Sequence, residues 1–512
     1  MRIPLKNLIM KIRLVFLAFL FFSLSSSFSQ VKGVIASDTG NITVVKVWGT
    51  HYERGYAYGY LLQDRILNVF NNYLKPAFGS SLSTAKSIIL QGTVIVISQA
   101  YKDEAQGVID GIEAAGGNIT GMDYTDILVA NSYLDFQGMS TFLNLNFKNG
   151  CSSLMSWDAA TNSTALNGKS VITRHLDWSV SNILINNQVM VVHIPSEIDE
   201  QPWAMIGFAG QMSALSGFNN SGVSAFQHMM SGSGLGTGSY SNSYEPIWFT
   251  IRKGLEKLDY NNDGMHDVQD IKDALSSNIS GYADGFIVAT MGPSSAIADS
   301  LIATVAELTP ASPYITFRAN EFADSIPSDN LYVANSPIKR NNAYNFCSRY
   351  NGVINNIGNG LNMSAEANWN IMKLYSNSGA GNIQMMQVIP EERKFNLSVY
   401  KSGSPAYLNN ITCYNIDSLF SITTSVPVVS SNDFSIYPNP ANSKLVVASK
   451  KNKGLFLCKI YDNTGKLIHS EYIENKTGVI NINLQNISNG FYYIVFEGKK
   501  GQTSLPFIID RK

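Results

Sequence analysis

Cys151 is the residue whose sequence neighbours most clearly indicate a catalytic role. It follows a glycine in the segment Asn149-Gly150-Cys151-Ser152-Ser153-Leu154. If the chain is cut before Cys151, its new α-amine, with a pKa of roughly 8, can accept the thiol proton near neutral pH without a histidine. Gly150 removes side-chain bulk before that bond and permits the strained backbone that self-cleavage needs. The pattern predicts a cysteine nucleophile unmasked by cleavage after Gly150.

Two charged residues downstream suit such a nucleophile. Arg174 and Asp177 stand in the segment Ile172-Thr-Arg-His-Leu-Asp-Trp178. An arginine stabilises a thiolate and lowers its pKa, while the aspartate can hold the terminal amine. On a strand that runs into a turn, both can project towards a neighbouring strand that begins with Cys151. The alternative interpretation is a surface Arg–Asp pair at a strand end.

Other hydrolytic and redox chemistries lack their residues in this sequence. It contains no H-E-x-x-H zinc motif, no C-x-x-C pair, no Walker lysine loop, no G-x-S-x-G elbow and no dinucleotide fingerprint. Its four cysteines show neither metal-ligand spacing nor a dense disulfide framework. Cys413 and Cys458 are interpreted as buried or incidental thiols, with a disulfide left open. The cysteines are Cys151, Cys347, Cys413 and Cys458.

The segment from Asp259 to Asp270 has a chemistry of its own. Oxygen-bearing side chains occupy positions one, three, five, nine and twelve, and Gly264 occupies position six, where a calcium loop turns sharply. The spacing predicts a structural calcium site with no part in catalysis, of modest affinity because position twelve is the shorter aspartate. A solvated turn between helices is the alternative. The predicted ligands are Asp259, Asn261, Asp263, Asp267 and Asp270.

The N-terminus has the layout of a targeting segment. Four basic residues precede the apolar run from Leu14 to Leu24, and small residues lead to Gln30. This pattern predicts a secretory signal peptide over residues 1–29, with an uncleaved anchor as the alternative. No later apolar stretch approaches the twenty residues of a membrane span. A net charge of −1 argues against a long nucleic-acid footprint.

The predicted secondary structure and the local composition divide the chain into several domains and segments. Helical spacing covers roughly 52–74, 82–116 and 246–276, and strand-like segments follow Cys151, so an α+β layered domain is expected. Ser, Thr, Val and Pro then form a linker-like stretch, and short alternating strands in the tail predict a small β-sandwich. The expected parts are a signal peptide (1–29), an N-terminal propeptide or small subunit (30–150), a catalytic domain (151–420), a linker (421–432) and a tail domain (433–512).

The tail resembles the C-terminal sorting domain of the type IX secretion system of the Bacteroidetes. The resemblance rests on Ile436-Tyr-Pro-Asn-Pro440, on Ile460-Tyr-Asp462 with Thr464-Gly-Lys466, and on Ser488-Asn-Gly-Phe-Tyr492. It implies export across the outer membrane by that machinery, to the medium or the cell surface. A carbohydrate-binding or spacer sandwich is the alternative.

The region from about residue 31 to 410 resembles the penicillin acyltransferase-like family of Cys-type N-terminal-nucleophile (Ntn) hydrolases, related to choloylglycine hydrolases. Cys151 matches the family's nucleophile, and Arg174-x-Leu-Asp177-Trp178 matches its Arg-Asn-Leu-Asp signature. His175 stands where the family usually has asparagine. The resemblance implies a four-layer αββα fold with the active site at one edge of two stacked sheets.

Weaker matches suggest further site residues. Gly217–Val223 resembles a turn of the family, and His228, six residues after Gly222, or the adjacent Gln227 is the expected oxyanion donor. Asn335 and Arg349 resemble a later asparagine and an arginine that supports the catalytic cluster. For His228, Asn335 and Arg349 the alternative is an ordinary polar residue of the core or a loop.

The sequence thus predicts a secreted, self-processing hydrolase of linear amide bonds, needing no cofactor for catalysis and acting on a small-molecule amide. An acyl-enzyme on Cys151 would be resolved by water, or by an amine in acyl transfer. Conjugates like bile salts, N-acyl amino acids, acyl lipids and β-lactams stay open as substrates. One alternative is an inactive Ntn-fold surface binding or adhesion protein. Another is an uncleaved thiol hydrolase that uses Cys151 with His175 or His228.

Overall fold

The computed structural model describes most of the chain after the predicted signal peptide. The described residues are 31–139, 142, 150–231, 235–236, 238, 243–294, 301–319, 326–340, 347–375, 381–422, 434–448, 454–462, 467–498 and 501–511. Residues 1–29 and most of the predicted linker 421–432 lie outside them. The chain divides into two compact units, Met1–Phe420 and Ser421–Lys512.

The first unit contains fifteen strands and thirteen α-helices within its described residues. The strands are β1 (Gly33–Asp38), β2 (Ile42–Gly49), β3 (Gly150–Ser156), β4 (Val171–Asp177), β5 (Gln188–Pro195), β6 (Trp203–Phe208), β7 (Ser216–Asn219), β8 (Ser224–Met229), β9 (Phe286–Met291), β10 (Ala303–Leu308), β11 (Ile315–Arg318), β12 (Asn330–Val333), β13 (Asn382–Ile389), β14 (Lys394–Val399) and β15 (Thr412–Asn415). The helices are α1 (His51–Val69), α2 (Lys75–Phe78), α3 (Leu82–Gln91), α4 (Gln99–Ala114), α5 (Tyr124–Asn131), α6 (Tyr133–Gly138), α7 (Asp158–Thr161), α8 (Asn182–Ile185), α9 (Ile247–Glu256), α10 (Val268–Ser276), α11 (Ser348–Ile357), α12 (Ala365–Leu374) and α13 (Ile416–Phe420).

The strands form two stacked sheets. One has nine strands in the order β1-β2-β5-β6-β7-β8-β9-β10-β11, and the other has six in the order β12-β3-β4-β13-β14-β15. Neighbouring strands are antiparallel except β2 and β5, which run parallel. Apolar side chains from both sheets, such as Phe226 and Met386, form a core between them.

Helices cover the outer faces of both sheets. Helices α1, α4 and α9 pack against the nine-stranded sheet in one apolar cluster. Helices α11 and α12 pack against the six-stranded sheet in another. The predicted four-layer αββα fold is therefore confirmed.

The expected long helices are interrupted. The segment expected at 82–116 divides into α3 and α4 because Gly92, with φ 60°, ends α3 in the left-handed conformation. The segment expected at 246–276 divides into α9 and α10, and the predicted calcium loop lies between them. Within the described residues, no helix is long and apolar enough to cross a membrane.

In its described residues, the second unit has seven strands in two sheets. The strands are β16 (Ser435–Tyr437), β17 (Lys444–Ala448), β18 (Gly454–Asp462), β19 (Leu467–Asn475), β20 (Val479–Asn483), β21 (Gly490–Gly498) and β22 (Gly501–Ile509). The sheets have the orders β16-β17-β20 and β19-β18-β21-β22. They enclose their own core, which includes Val447, Cys458 and Ile494, so the predicted small β domain is confirmed.

Candidate active site

Cys151 is the second residue of β3 and is buried, with 2% of its surface exposed. It pairs with Leu176 of β4 and belongs to the apolar cluster shared with the nine-stranded sheet. Successive side chains of a strand point to opposite faces. Ser153, on the same face as Cys151, therefore reaches His228 of β8, while Ser152 points to the opposite face.

Arg174 of β4 pairs with Ser153 of β3, and its side chain reaches the thiol of Cys151. Its Nη2 is 3.7 Å from Sγ of Cys151 and donates a hydrogen bond to the main-chain oxygen of Gln227 at 2.7 Å. Its Nη1 donates to Oγ of Ser216, and the guanidinium lies 5.6 Å from the ring centroid of Phe226. These contacts hold a fully buried cation beside the sulfur.

Burial and the Arg174 charge act on the thiol in opposite directions. Burial raises the pKa of Cys151, and Arg174 offsets part of that rise because it stabilises the thiolate. The net direction is upwards, so the Cys151 thiol is protonated at neutral pH in the uncut chain. Burial also lowers the pKa of Arg174, and the Cys151 thiolate opposes that change.

Asn335 and Arg349 hold the main chain of the same cysteine. The amide nitrogen of Cys151 donates to Oδ1 of Asn335 at 3.1 Å. Arg349, the second residue of α11, donates from Nη2 to that same oxygen at 2.5 Å and from Nη1 to the main-chain oxygen of Cys151 at 3.4 Å. Nδ2 of Asn335 donates to the main-chain oxygen of Met229 at 2.6 Å. The structure therefore brings Asn335 and Arg349 together with Cys151 and Arg174.

Asp177 lies on the other face of β4, beside the start of β3. It pairs across the strands with Gly150, the residue before the nucleophile. Its Oδ1 lies 3.2 Å from Nδ1 of His175 and accepts from Nδ2 of Asn382 at 3.3 Å. The charge of Asp177 acts on Cys151 and raises the pKa of the thiol, less than burial does. Asp177 thus lies beside the bond expected to break, on the face opposite to Arg174.

His175 forms a buried chain of polar groups with its neighbours. Its Nε2 is hydrogen-bonded to Oγ of Ser152, with which it pairs across the two strands, and its Nδ1 contacts Asp177. All three residues have no exposed surface. This Ser–His–Asp chain could not be found from the motif alone, because it depends on the register of β3 against β4.

His228 lies near the site, and its hydrogen bond goes to Ser153 and not to the thiol of Cys151. Its Nε2 is 3.1 Å from Oγ of Ser153, and its buried Nδ1 has no hydrogen-bond partner. Burial and then the charge of Arg174 lower its pKa far below the ordinary histidine value, so the ring is neutral. The adjacent Gln227 contributes its main-chain oxygen to Arg174 and its Oε1 to Trp248 Nε1 at 3.2 Å. The expected oxyanion role of His228 or Gln227 stays a prediction.

A small apolar cavity of about 40 Å³ adjoins this cluster. Two of its lining residues connect to the site: Trp178 follows Asp177 in the chain, and Trp248 is bonded to Gln227. Gln211 is a polar exception in a lining that is otherwise mainly apolar. Representative lining residues are Val69, Tyr73, Tyr133, Trp178, Phe208 and Trp248.

A buried ion network, which the residue pattern did not predict, joins residues from before and after Cys151. Arg252 of α9 donates to both carboxylate oxygens of Glu104 at 3.0 and 2.6 Å and to Glu256 at 2.8 Å. His51 bridges Glu104 at 2.8 Å and Glu200 at 2.9 Å. Burial alone would lower the pKa of His51, but these two carboxylates outweigh it and raise the pKa to about 9.

Part of this network has the composition of a metal site. His51, Glu197 and Glu200 bring ligand atoms within 4.8 Å of one another. However, Arg54 donates to Glu197 at 2.9 Å and to Glu200 at 3.1 Å. A cation there would have to displace a proton from His51 and lie beside the guanidinium of Arg54. The cluster is therefore an ion-pair network that ties α1 and α4 to the rest of the unit.

The predicted calcium ligands lie together in the loop between α9 and α10. Their hydrogen bonds stay within the loop and helix α10. None of these bonds involves Cys151 or its partners. The loop is thus separate in its contacts from the cysteine cluster, and the calcium site stays a prediction.

Comparison with known proteins identifies the type of domain that the tail forms. Residues 435–510 match the family model described as the secretion system C-terminal sorting domain. The resemblance predicted for the tail is therefore confirmed. This domain indicates secretion or display at the cell surface in a Bacteroidetes-like bacterium.

Three further proteins are similar to this chain. A curated relative is the protein dcd1B of Dictyostelium discoideum, 23% identical over 227 residues, which are 43% of this chain and 43% of that protein. Among solved structures, the Caenorhabditis elegans ortholog of N-acylethanolamine-hydrolyzing acid amidase is 16% identical over 47% of this chain and 93% of its own, with a TM-score of 0.33. A mutant of conjugated bile acid hydrolase from Clostridium perfringens is 9% identical over 53% of this chain and 94% of its own, with a TM-score of 0.34.

Two stacked sheets between helical layers, with Cys151 near the start of a strand, give the first unit the four-layer αββα fold that the resemblance to Ntn hydrolases implies. The second unit adds a secretion sorting domain to that fold.

Proposed function

We propose that this protein is a secreted amide hydrolase that cuts its own chain before Cys151 and then uses Cys151 as its nucleophile. The observation that carries the proposal is the convergence of separate segments on that one residue. Arg174 contacts its sulfur, Asn335 its nitrogen and Arg349 its carbonyl oxygen. A buried cysteine with a packing role alone has no use for this set of polar partners.

The self-cleavage step begins with the thiol in the uncut chain. Sγ of Cys151 attacks the carbonyl carbon of Gly150, and the bond from that carbon to the Cys151 nitrogen breaks. The product is a thioester, and the thiol proton passes to the released amine. Water then hydrolyses the thioester, leaving a carboxylate on Gly150 and free thiol and amine groups on Cys151. The bond between Cys151 N–H and Asn335 Oδ1 supports this step because it fixes the nitrogen that leaves.

After cleavage, the same nitrogen becomes the base. An α-amine has an unperturbed pKa of roughly 8, and the nearby cations Arg174 and Arg349 favour its neutral form. Asn335 Oδ1 can keep accepting a hydrogen bond from it, and the Asp177 carboxylate, opposite Gly150, can hold it while it is protonated. The amine takes the thiol proton as sulfur attacks the substrate amide and gives that proton to the departing amine.

Arg174 and Asp177 therefore have different roles. Arg174 stabilises the thiolate directly, because its guanidinium lies beside the sulfur. Asp177 acts on the amine, and His175 with Asn382 orients its carboxylate. The oxyanion donor of the acyl step is proposed to be His228 or Gln227, and a turn of the His228 ring from Ser153 would be required.

The cavity supports an apolar acyl group on the substrate. Its wall is formed mainly by aromatic and aliphatic side chains, the lining that suits an apolar part of a ligand. Burying such a group provides binding energy roughly in proportion to its apolar area. We propose N-acyl amides with a fatty or other apolar acyl part, split by water, since a secreted enzyme meets no acyl-coenzyme A.

The test is to trap the acyl-enzyme. The purified protein is mixed with a panel of amides, among them an N-acylethanolamine, a bile-acid conjugate and a penicillin, and quenched in acid for intact mass. We expect a mass gain equal to one acyl group on the fragment that begins at Cys151, together with release of the amine. Cys151→Ser is the matched control. A cleaved protein that hydrolyses none of the panel and is never acylated would favour a surface binding protein.

A further inference from the structure

The loop between α9 and α10 has a chemistry that the proposed hydrolysis does not use. We propose that Asp259–Asp270 binds one calcium ion, which fixes α9 against α10 and so steadies the wall of the apolar cavity. This inference does not depend on self-cleavage or on hydrolysis.

The loop is already wound as an ion-binding turn. Asp259, at position one, accepts hydrogen bonds from the main-chain nitrogens of Asp263 at 3.2 Å and Gly264 at 2.9 Å. Asn262 and Gly264 have φ of 61° and 83°, so the chain turns through two left-handed residues. Each carboxylate oxygen accepts one such bond and keeps a second lone pair for a cation.

Asp267 supplies independent support for a bound cation. Its Oδ1 accepts from Gln269 N at 2.7 Å and caps the start of α10. Its Oδ2 is buried and has no hydrogen-bond partner, and the residue is 7% exposed. A buried carboxylate oxygen without a partner is unfavourable unless a cation or a water compensates it.

The available ligands select a hard cation. The loop offers carboxylate, amide and main-chain oxygens and no thiolate, and Ca²⁺ prefers six to eight oxygens of this kind. The side chain of Asn261 must turn for binding. Oδ2 of Asp263 now accepts from Nδ2 of Asn261 at 2.9 Å, and that amide nitrogen also reaches Asp273 at 3.0 Å. A rotation of the Asn261 amide would present its oxygen instead.

The consequence for the rest of the unit comes from how closely the two helices pack. A Cβ added to Gly254 of α9 would lie 2.9 Å from Cα of Ile271 in α10, so their backbones are nearly in contact. Helix α9 also carries Trp248, which lines the cavity. An ion that holds the end of α9 to the start of α10 therefore restrains the cavity wall.

Calcium binding can be measured directly on the full secreted chain and on its Cys151→Ala variant. Both are stripped with a chelator, and Ca²⁺ is titrated by calorimetry and in competition with Tb³⁺ luminescence. We expect one site with half-saturation at about 0.1–1 mM, as in extracellular calcium modules. The melting temperature should rise by a few degrees at saturating Ca²⁺.

Asp259→Asn should weaken calcium binding at least tenfold and abolish the calcium-dependent rise in melting temperature. Asp123→Asn is the control, because it makes the same change of charge at an aspartate outside the loop, the N-cap residue of α5. It should bind calcium as the wild type does. Failure of the wild type to bind Ca²⁺ or Tb³⁺, or undiminished binding by the folded Asp259→Asn variant, would overturn the proposal. The Cys151→Ala chain should bind as well as wild type, so the outcome is separate from that of the proposed catalysis.

Discussion

The main-chain nitrogen of Cys151 donates a hydrogen bond to the side-chain oxygen of Asn335, 3.1 Å away. In the proposed reaction this nitrogen is first the leaving group of self-cleavage and then the catalytic amine. We expect Asn335→Ala to slow the appearance of the two fragments at least tenfold, about 1.4 kcal/mol in the activation barrier. Gel electrophoresis of freshly purified precursor over time measures this rate. Asn118→Ala, on an exposed turn, is the control, and equal rates in both variants would remove Asn335 from the site.

Arg174→Lys tests the cation beside the sulfur. Lysine keeps the charge but cannot contact Cys151, Ser216 and the Gln227 carbonyl together, as the guanidinium does. Because Arg174 lowers the pKa of the thiol, we expect the variant's pH profile of iodoacetamide alkylation to shift to higher pH. Activity should fall by about a hundredfold or more. An unchanged alkylation profile in the correctly folded variant would show that Arg174 does not act on the thiol.

His175→Asn restores the residue that the resembling family usually has. Asparagine cannot span Ser152 and Asp177 at once as the imidazole does, so one buried polar group loses its partner. We expect a loss of about 1–3 kcal/mol in the free energy of unfolding and a changed pH profile of activity, since the orientation of Asp177 changes. Urea unfolding and pH–rate curves measure the two effects. His469→Asn in β19 is the control, and a His175→Asn enzyme with wild-type stability and pH profile would refute the positioning role.

The buried network around His51 predicts a stability that depends on pH. Its folded pKa of about 9 lies above the ordinary value of about 6.5. The contribution of His51 is therefore fully present below pH 6.5, declines as pH rises, and is lost above pH 9. At most it amounts to about 3 kcal/mol.

The comparison is made with His51→Gln. Urea unfolding followed by tryptophan fluorescence reports the first unit, because all six tryptophans lie before residue 421. The difference in unfolding free energy between wild type and His51→Gln should shrink from pH 6.5 to pH 9.5. His266→Gln, an exposed residue, should differ from wild type by a constant small amount. A pH-independent difference for His51→Gln would contradict the ion-pair assignment.

Much of the fold was predictable because its signals are local. Alternating apolar residues mark the strands, and the turn residues of the tail separate its short strands. Residue spacing also predicted that the nucleophile strand and the strand of Arg174 are neighbours. It did not predict that Arg174 and Asp177 face opposite sides of β4, although three positions along a strand require this.

The rest depends on contacts between distant segments. Glu104 and Arg252 are 148 residues apart in sequence and form a pair with almost no exposed surface. From sequence, each resembles a solvated charge on its helix. The hydrogen bond between the side chains of Ser152 and His175 likewise depends on the register of β3 against β4. Only the tertiary packing reveals these pairs. The hydrophobic periodicity of a segment predicts its own secondary structure but not which residue of a distant segment it will contact.

The central claim is tested most directly by intact mass and N-terminal sequencing of the secreted protein, with Cys151→Ala beside it. We expect a wild-type fragment that begins Cys151-Ser152-Ser153. We expect the Cys151→Ala chain to stay uncut between residues 150 and 151. A wild-type chain that remains uncut between Gly150 and Cys151, with calcium supplied and pH varied, would contradict the N-terminal-nucleophile mechanism.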